Sequence, residues 1–140
     1  MTDAADLAEN DRIGVLICDD LDAMRALLRV VIQLRPGLSV VGEARDGNEA
    51  IEQAERLQPD VILLDLAMPN LTGFAALPRI REVAPAASII VLSGFVSTTT
   101  SARVLALGAA RFVEKGAAPA EIALAIEEVV AADRTARRVG

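Results

Sequence analysis

No histidine occurs anywhere in this chain, which removes the commonest metal ligand, the usual general base and any phosphohistidine of its own. Tryptophan and tyrosine are also absent, and only three phenylalanines are present, so the core must be aliphatic and alanine-rich. The single cysteine, Cys18, excludes an internal disulfide and a cysteine-cluster zinc site. Its place in an apolar run suits a small core hydrophobe. No lysine- or arginine-rich run appears before the last few residues and the net charge is −6, which argues against direct nucleic-acid binding by this chain. The acidic opening MTDAADLAENDR lacks the basic start and apolar stretch of a secretory signal. No run reaches the ~20 apolar residues of a membrane span, so a cytoplasmic location with no membrane partner is expected.

Present instead are 53% hydrophobic and 24% charged residues in a chain of 140, enough for one compact unit with its own core. Short runs rich in Val, Ile and Leu predict strands at Ile13–Cys18, Leu38–Val41, Val61–Leu64, Ser88–Leu92 and Arg111–Val113. Helical spacing fills the gaps: Met24, Leu27, Leu28, Val31 and Leu34; Ala50, Ile51, Ala54 and Leu57; Ile122, Ala125, Ile126 and Val129. Strand–helix alternation repeated five times predicts an α/β fold, a five-stranded parallel sheet with helices on both faces. Pro36-Gly37 ends the first helix, Asp46 with Glu49 reads as a capping box, and Pro119 suits the first turn of the last helix. Pro78 would sit mid-helix if that helix began at Gly73, so regular helix is expected from about Ala75. The polar STTTS of Ser97–Ser101 reads equally as a helix start or a solvated loop.

The first and third predicted strands end in acids. IGVLICDDLD delivers Asp19 and Asp20, and DVILLDLAMPN delivers Asp65 ahead of a Met-Pro turn. Ligand sites in open parallel sheets form at carboxyl strand ends. If those two strands are neighbours, three carboxylates converge and repel, and a hard divalent cation such as Mg²⁺ is the natural neutraliser. The fourth strand ends in Ser93 and Gly94, the fifth in Lys115. A hydroxyl, bare backbone and an ammonium beside a metal and carboxylates are the equipment for holding a phosphoryl group on an aspartate.

With these residues the chain resembles the receiver domains of two-component response regulators from about Arg12 to Ala132. Asp19-Asp20 is similar to that family's acidic pair, Asp65 to Pro69 to its phosphoacceptor and D-x-x-M-P turn, Ser93 to its hydroxyl switch position and Lys115 to its lysine. VVGEARDGNEA resembles the subfamily usually fused to a helix-turn-helix DNA-binding domain. The resemblance implies a flavodoxin-like strand order 2-1-3-4-5, an order that a member of this family exemplifies. It implies that Asp65 takes a phosphoryl group from a sensor histidine kinase or phosphotransfer protein. Mg²⁺ would then be held by Asp20, Asp65 and the Ala67 backbone carbonyl, and by Asp19 through water. It further implies that Lys115 pairs with the phosphoryl oxygens, that Ser93 swings toward them, and that Phe112 turns inward to shift a surface from about Ser97 to Val130. The output partner is unspecified, and a phosphorylation-dependent homodimer is compatible with the family pattern. Phe112 lacks a hydroxyl, and Gly116 stands where proline is frequent. Ala67 offers no side chain to orient an attacking water and Phe95 is bulky beside the site, which together suggest a long-lived phosphoryl group.

An aspartate-nucleophile phosphohydrolase of the haloacid dehalogenase type, using Asp20 and Asp22 as a D-x-D motif, is the alternative; it leaves Asp65 and its turn unexplained. The expected organisation is a flexible acidic N-terminus at 1–11, a receiver domain at 12–132 and a tail or linker stump at 133–140. Such a chain is either a stand-alone regulator or a piece of a DNA-binding one, with the domain a phosphoacceptor rather than a true enzyme.

Overall fold

A computed structural model describes residues 12–94 and 97–139; the expected N-terminal tail and Phe95 lie outside them. Strands β1 (Ile13–Cys18), β2 (Leu38–Ala44), β3 (Val61–Asp65), β4 (Ser88–Ser93) and β5 (Arg111–Glu114) alternate with helices α1 (Asp22–Gln33), α2 (Gly47–Leu57), α3 (Gly73–Val83), α4 (Thr98–Ala106) and α5 (Pro119–Val139). The strands form one sheet in the order β2-β1-β3-β4-β5, all neighbours parallel. This is the expected α/β architecture.

Because successive strand side chains point to opposite faces, each strand feeds two cores. Leu16, Ile62, Leu64, Ile89 and Val91 pack with Ala50 and Ala54 of α2, Leu77 and Ile80 of α3 and Val104 of α4. Val15, Ile17, Leu63, Ile90 and Leu92 pack with Leu28 and Ile32 of α1 and Ile122, Ile126 and Val129 of α5. Full burial of each large aliphatic side chain contributes about 1.5–3 kcal/mol, so the two-sided sheet is the main source of stability. Cys18 is fully buried among these hydrophobes, and burial pushes its thiol pKa well up.

Apart from a capping box that forms only by half, the helix signals act locally as expected, with two exceptions. Asp46 caps α2 by accepting from the Glu49 N–H at 2.8 Å, but the Glu49 carboxylate reaches back to the Arg45 N–H rather than to the cap's own. The capping box is therefore half formed. Ser97 caps α4, accepting from Thr100, so STTTS is a helix start. The first exception is Pro78. Thr72 caps α3 and the helix begins at Gly73, placing Pro78 inside it rather than in its first turn. Ala76 already donates to the Thr72 carbonyl at 2.9 Å, so the bond lost at Pro78 is the one Phe74 would have accepted. The second is α5, which continues through residues 133–139, where the sequence shows no apolar periodicity. A helix once nucleated propagates at little cost through residues such as Ala and Arg.

Candidate functional site

Sheet register places the charged residues. Cys18 lies beside Leu64, so the next residues along, Asp19 and Asp65, emerge together at the carboxyl edge. Asp65 lies beside Leu92 and Ser93 beside Glu114. The Lys115 N–H donates to the Ser93 carbonyl at 2.8 Å, which turns the lysine back over the same edge. Adjacent strands thus contribute neighbouring groups.

Asp19 and Asp65 are buried and Asp20 half-buried, and one carboxylate oxygen from each lies within 4.8 Å of the others. Lys115 Nζ stands 2.9 Å from Asp19 Oδ2 and 3.1 Å from Asp65 Oδ2. The Ala67 N–H donates to Asp65 Oδ1 at 3.1 Å. Ser93 is buried at the end of β4. Phe112, opposite Val91, is half-buried against the core face shared by α3 and α4. Asp22 of the phosphohydrolase alternative stands apart: its side chain is 92% exposed and pairs with Arg25, outside the cluster.

Burial pushes the Asp65 carboxyl pKa up and the Asp19 charge adds to this, against the Ala67 N–H and Lys115, which pull it down. Burial alone would lower the Lys115 pKa, but its contacts with Asp19 and Asp65 outweigh that and hold the ammonium form. One cation faces two buried carboxylates and a third nearby. Asp19 Oδ2 is a buried oxygen that meets the Lys115 ammonium at 2.9 Å. A cluster of convergent oxygen donors with surplus negative charge can hold a hard metal ion.

The chain matches the model of the response regulator receiver domain over residues 15–127. This chain belongs to that family. The receiver domain is the phosphoacceptor of two-component response regulators, and the phosphohydrolase alternative finds no support among the matches. The receiver chain is 35% identical over 122 residues to the response regulator UvrY of Escherichia coli K12, covering 87% of this chain but 56% of that one. It thus spans little more than half of that relative. A LuxR-family two-component response regulator from Aurantimonas sp. SI85-9A1 superposes with a TM-score of 0.82 at 31% identity over 86% of each chain. The response regulator domain of Thermotoga maritima CheB does so at 0.74 and 34%, over 92% of this chain and 98% of that one. No helix among the described residues is long and apolar enough to cross a membrane.

Three residues that strand-end patterning does not reveal brace the loops of this receiver site, Arg25 directly and the other two at one remove. Arg25 Nη1 donates to the Asp19 carbonyl at 2.8 Å, Glu43 pairs with Arg25, and Asn70 donates to Asp46 at 3.0 Å. Arg25 lies in the first turn of α1 and Asn70 in the turn after Met-Pro, so closeness in sequence to the acids was the available signal.

Proposed function

We propose that Asp65 is the residue that accepts the phosphoryl group, with Asp19, Asp20 and the Ala67 carbonyl completing a Mg²⁺ site and Lys115 and Ser93 serving the phosphoryl oxygens. The observation that carries this reading is the Asp19–Lys115–Asp65 arrangement: a buried carboxylate at a strand end, paired with an ammonium and crowded by acids that a cation would balance. Mg²⁺, when bound, would neutralise charge on the transferred group and its acceptor. An Asp65 carboxylate oxygen attacks the phosphorus of a phosphohistidine on a sensor kinase or phosphotransfer protein. The O–P bond forms as the P–N bond breaks, and the ring departs as neutral imidazole, keeping the bonding pair on the released nitrogen and the proton already held on the other. The Lys115 ammonium pairs with the incoming phosphoryl oxygens as its hold on Asp65 is diluted.

The phosphoryl group then draws the Ser93 hydroxyl, Phe112 moves inward, and the surface from α4 to α5 changes. A hydrogen bond to a charged group, worth about 1.5–3 kcal/mol, matches the few kcal/mol that separate two conformers. The receiver unit is assigned to residues 12–132, with α5 running on as helix to Val139. A DNA-binding output domain, of the kind that the resemblance of VVGEARDGNEA implies, and a homodimer are consistent partners, and the setting is cytoplasmic. With Ala67 exposed and carrying no polar side chain, hydrolysis of the aspartyl phosphate should be slow.

Intact-mass spectrometry after incubation with acetyl phosphate tests the reading. A gain of one phosphoryl group that requires Mg²⁺ and is absent in Asp65→Asn is expected; equal gain in the variant would move the acceptor elsewhere.

A further inference from the structure

The segment VVGEARDGNEA contributes no carboxylate to the acid cluster, yet its middle touches both loops that carry the acids. On one side the Ala44 carbonyl accepts the Asp19 N–H at 3.0 Å. Glu43 meets Arg25 Nε at 3.3 Å, and Arg25, with only 11% of its side chain exposed, donates to the Asp19 carbonyl. Arg29 grips the same Glu43 through two bonds of 2.8 and 2.9 Å, so that carboxylate is fixed in orientation.

On the other side the Gly47 N–H donates to the Leu71 carbonyl at 2.7 Å. A β-carbon on Gly47 would collide with that carbonyl, so glycine is what lets the two backbones approach. Asp46 uses one oxygen to cap α2 and the other to accept from Asn70. Asn70 has φ of 65°, a left-handed turn that Asn tolerates, and it closes the loop that runs from Asp65 through Ala67.

We infer that Glu43–Gly47 is a bracket that holds the Asp19-Asp20 loop and the Asp65–Leu71 loop at a fixed separation and thereby sets the affinity of the acid cluster for Mg²⁺. This rests on the proposed Mg²⁺ reading. The two loops leave neighbouring strands whose ladder ends at Cys18 and Leu64, so it aligns Asp19 with Asp65 but leaves Asp20 and Ala67 beyond its last pair. The placing of Asp20 against Ala67 is therefore held from outside the ladder, by one turn bonded to both loops. Groups that orient ligands without touching the ion typically cost 10–100-fold in affinity when lost, and Glu43 and Asn70, one contact further out, belong at the lower end of that range.

The test is the Mg²⁺ dissociation constant, by isothermal titration calorimetry on the whole chain, for the wild type, Glu43→Gln and Asn70→Gly, beside each protein's urea midpoint in EDTA. Glu43→Gln removes the charge that fixes Arg25, and Asn70→Gly deletes the amide while keeping the left-handed backbone. Each variant is expected to bind Mg²⁺ about tenfold more weakly while remaining folded. A merely structural role would lower the midpoint and leave the dissociation constant of the folded protein within twofold of wild type, which overturns the bracket alone. A wild type that binds no Mg²⁺ would overturn the bracket together with the metal reading beneath it. If Glu43→Gln fails to fold, Asn70→Gly decides.

Discussion

Lys115 is the residue on which the resting electrostatics of this receiver turn. Its ammonium is the group that contacts both buried carboxylates, so Lys115→Met leaves two desolvated charges facing each other. Removing one partner of a buried ion pair costs roughly 3–5 kcal/mol, and the partial exposure of this lysine places the expected loss at the lower end, about 3 kcal/mol. Millimolar Mg²⁺ should restore part of it. Urea unfolding in EDTA checks this; an unchanged midpoint would show that the acids are already protonated or solvated. Asp46 poses the opposite case. The Glu49 N–H, then the Asn70 amide, hold its carboxyl below the ordinary value of 3.8. A depressed folded pKa contributes stability that is present above the unfolded value and lost as pH falls through the folded one. Asp46→Ala should therefore be less stable by about 1 kcal/mol at neutral pH, the usual cost of a lost cap. The gap should close on acidification below about pH 4. A constant gap down to pH 2 would mean that the carboxylate's charge plays no part.

At the scale of elements, α3 is tied to the end of β3, which carries Asp65, by a glycine. The Gly73 N–H donates to the Leu66 carbonyl at 3.1 Å, and a β-carbon there would collide with the Asp65 carbonyl oxygen. Gly73→Ala must push the helix off the strand end, so a loss above about 4 kcal/mol is expected, with phosphorylation by acetyl phosphate failing as well. A folded variant of normal reactivity would show that the loop yields without moving Asp65. The same helix shows where sequence reasoning ran out. Pro78 is tolerated in the body of α3 because Ala76, Leu77 and Ile80 bury that helix against the sheet. Tertiary packing overrides the local penalty, which no propensity could foresee. In β2, similarly, pairing with β1 extends the strand from Val41 to Ala44 with a register shift opposite Val15/Leu16, because ladder bonds rather than apolar residues set its end.

For the whole molecule, ion binding and folding are linked. If the acid cluster binds Mg²⁺ in the folded state alone, the ion at about 100 times its dissociation constant adds about 2.7 kcal/mol of stability. Asp65→Asn, with less charge to neutralise, should gain less. With no Trp or Tyr in the chain, far-UV circular dichroism of thermal unfolding with and without Mg²⁺ is the natural measurement, and equal shifts in both proteins would place the ion elsewhere. The sequence by itself determined the alternation of elements, the buried apolar faces of α2 and α5 and the ending of four strands at Asp19, Asp65, Ser93 and Lys115, since these follow from side-chain periodicity among near neighbours. In α1 it misplaced the face, where Leu27 and Leu34 are exposed and Ile32 is buried. Strand order was legible only through family resemblance. Tertiary structure alone decided that Lys115 lies between Asp19 and Asp65, that Glu43 pairs with the Arg25 bonded to Asp19, that Asn70 bonds Asp46, and that Asp22 stays outside the cluster. Such distances depend on how strands far apart in the chain are ordered and registered in the sheet, and local pattern carries no term for that.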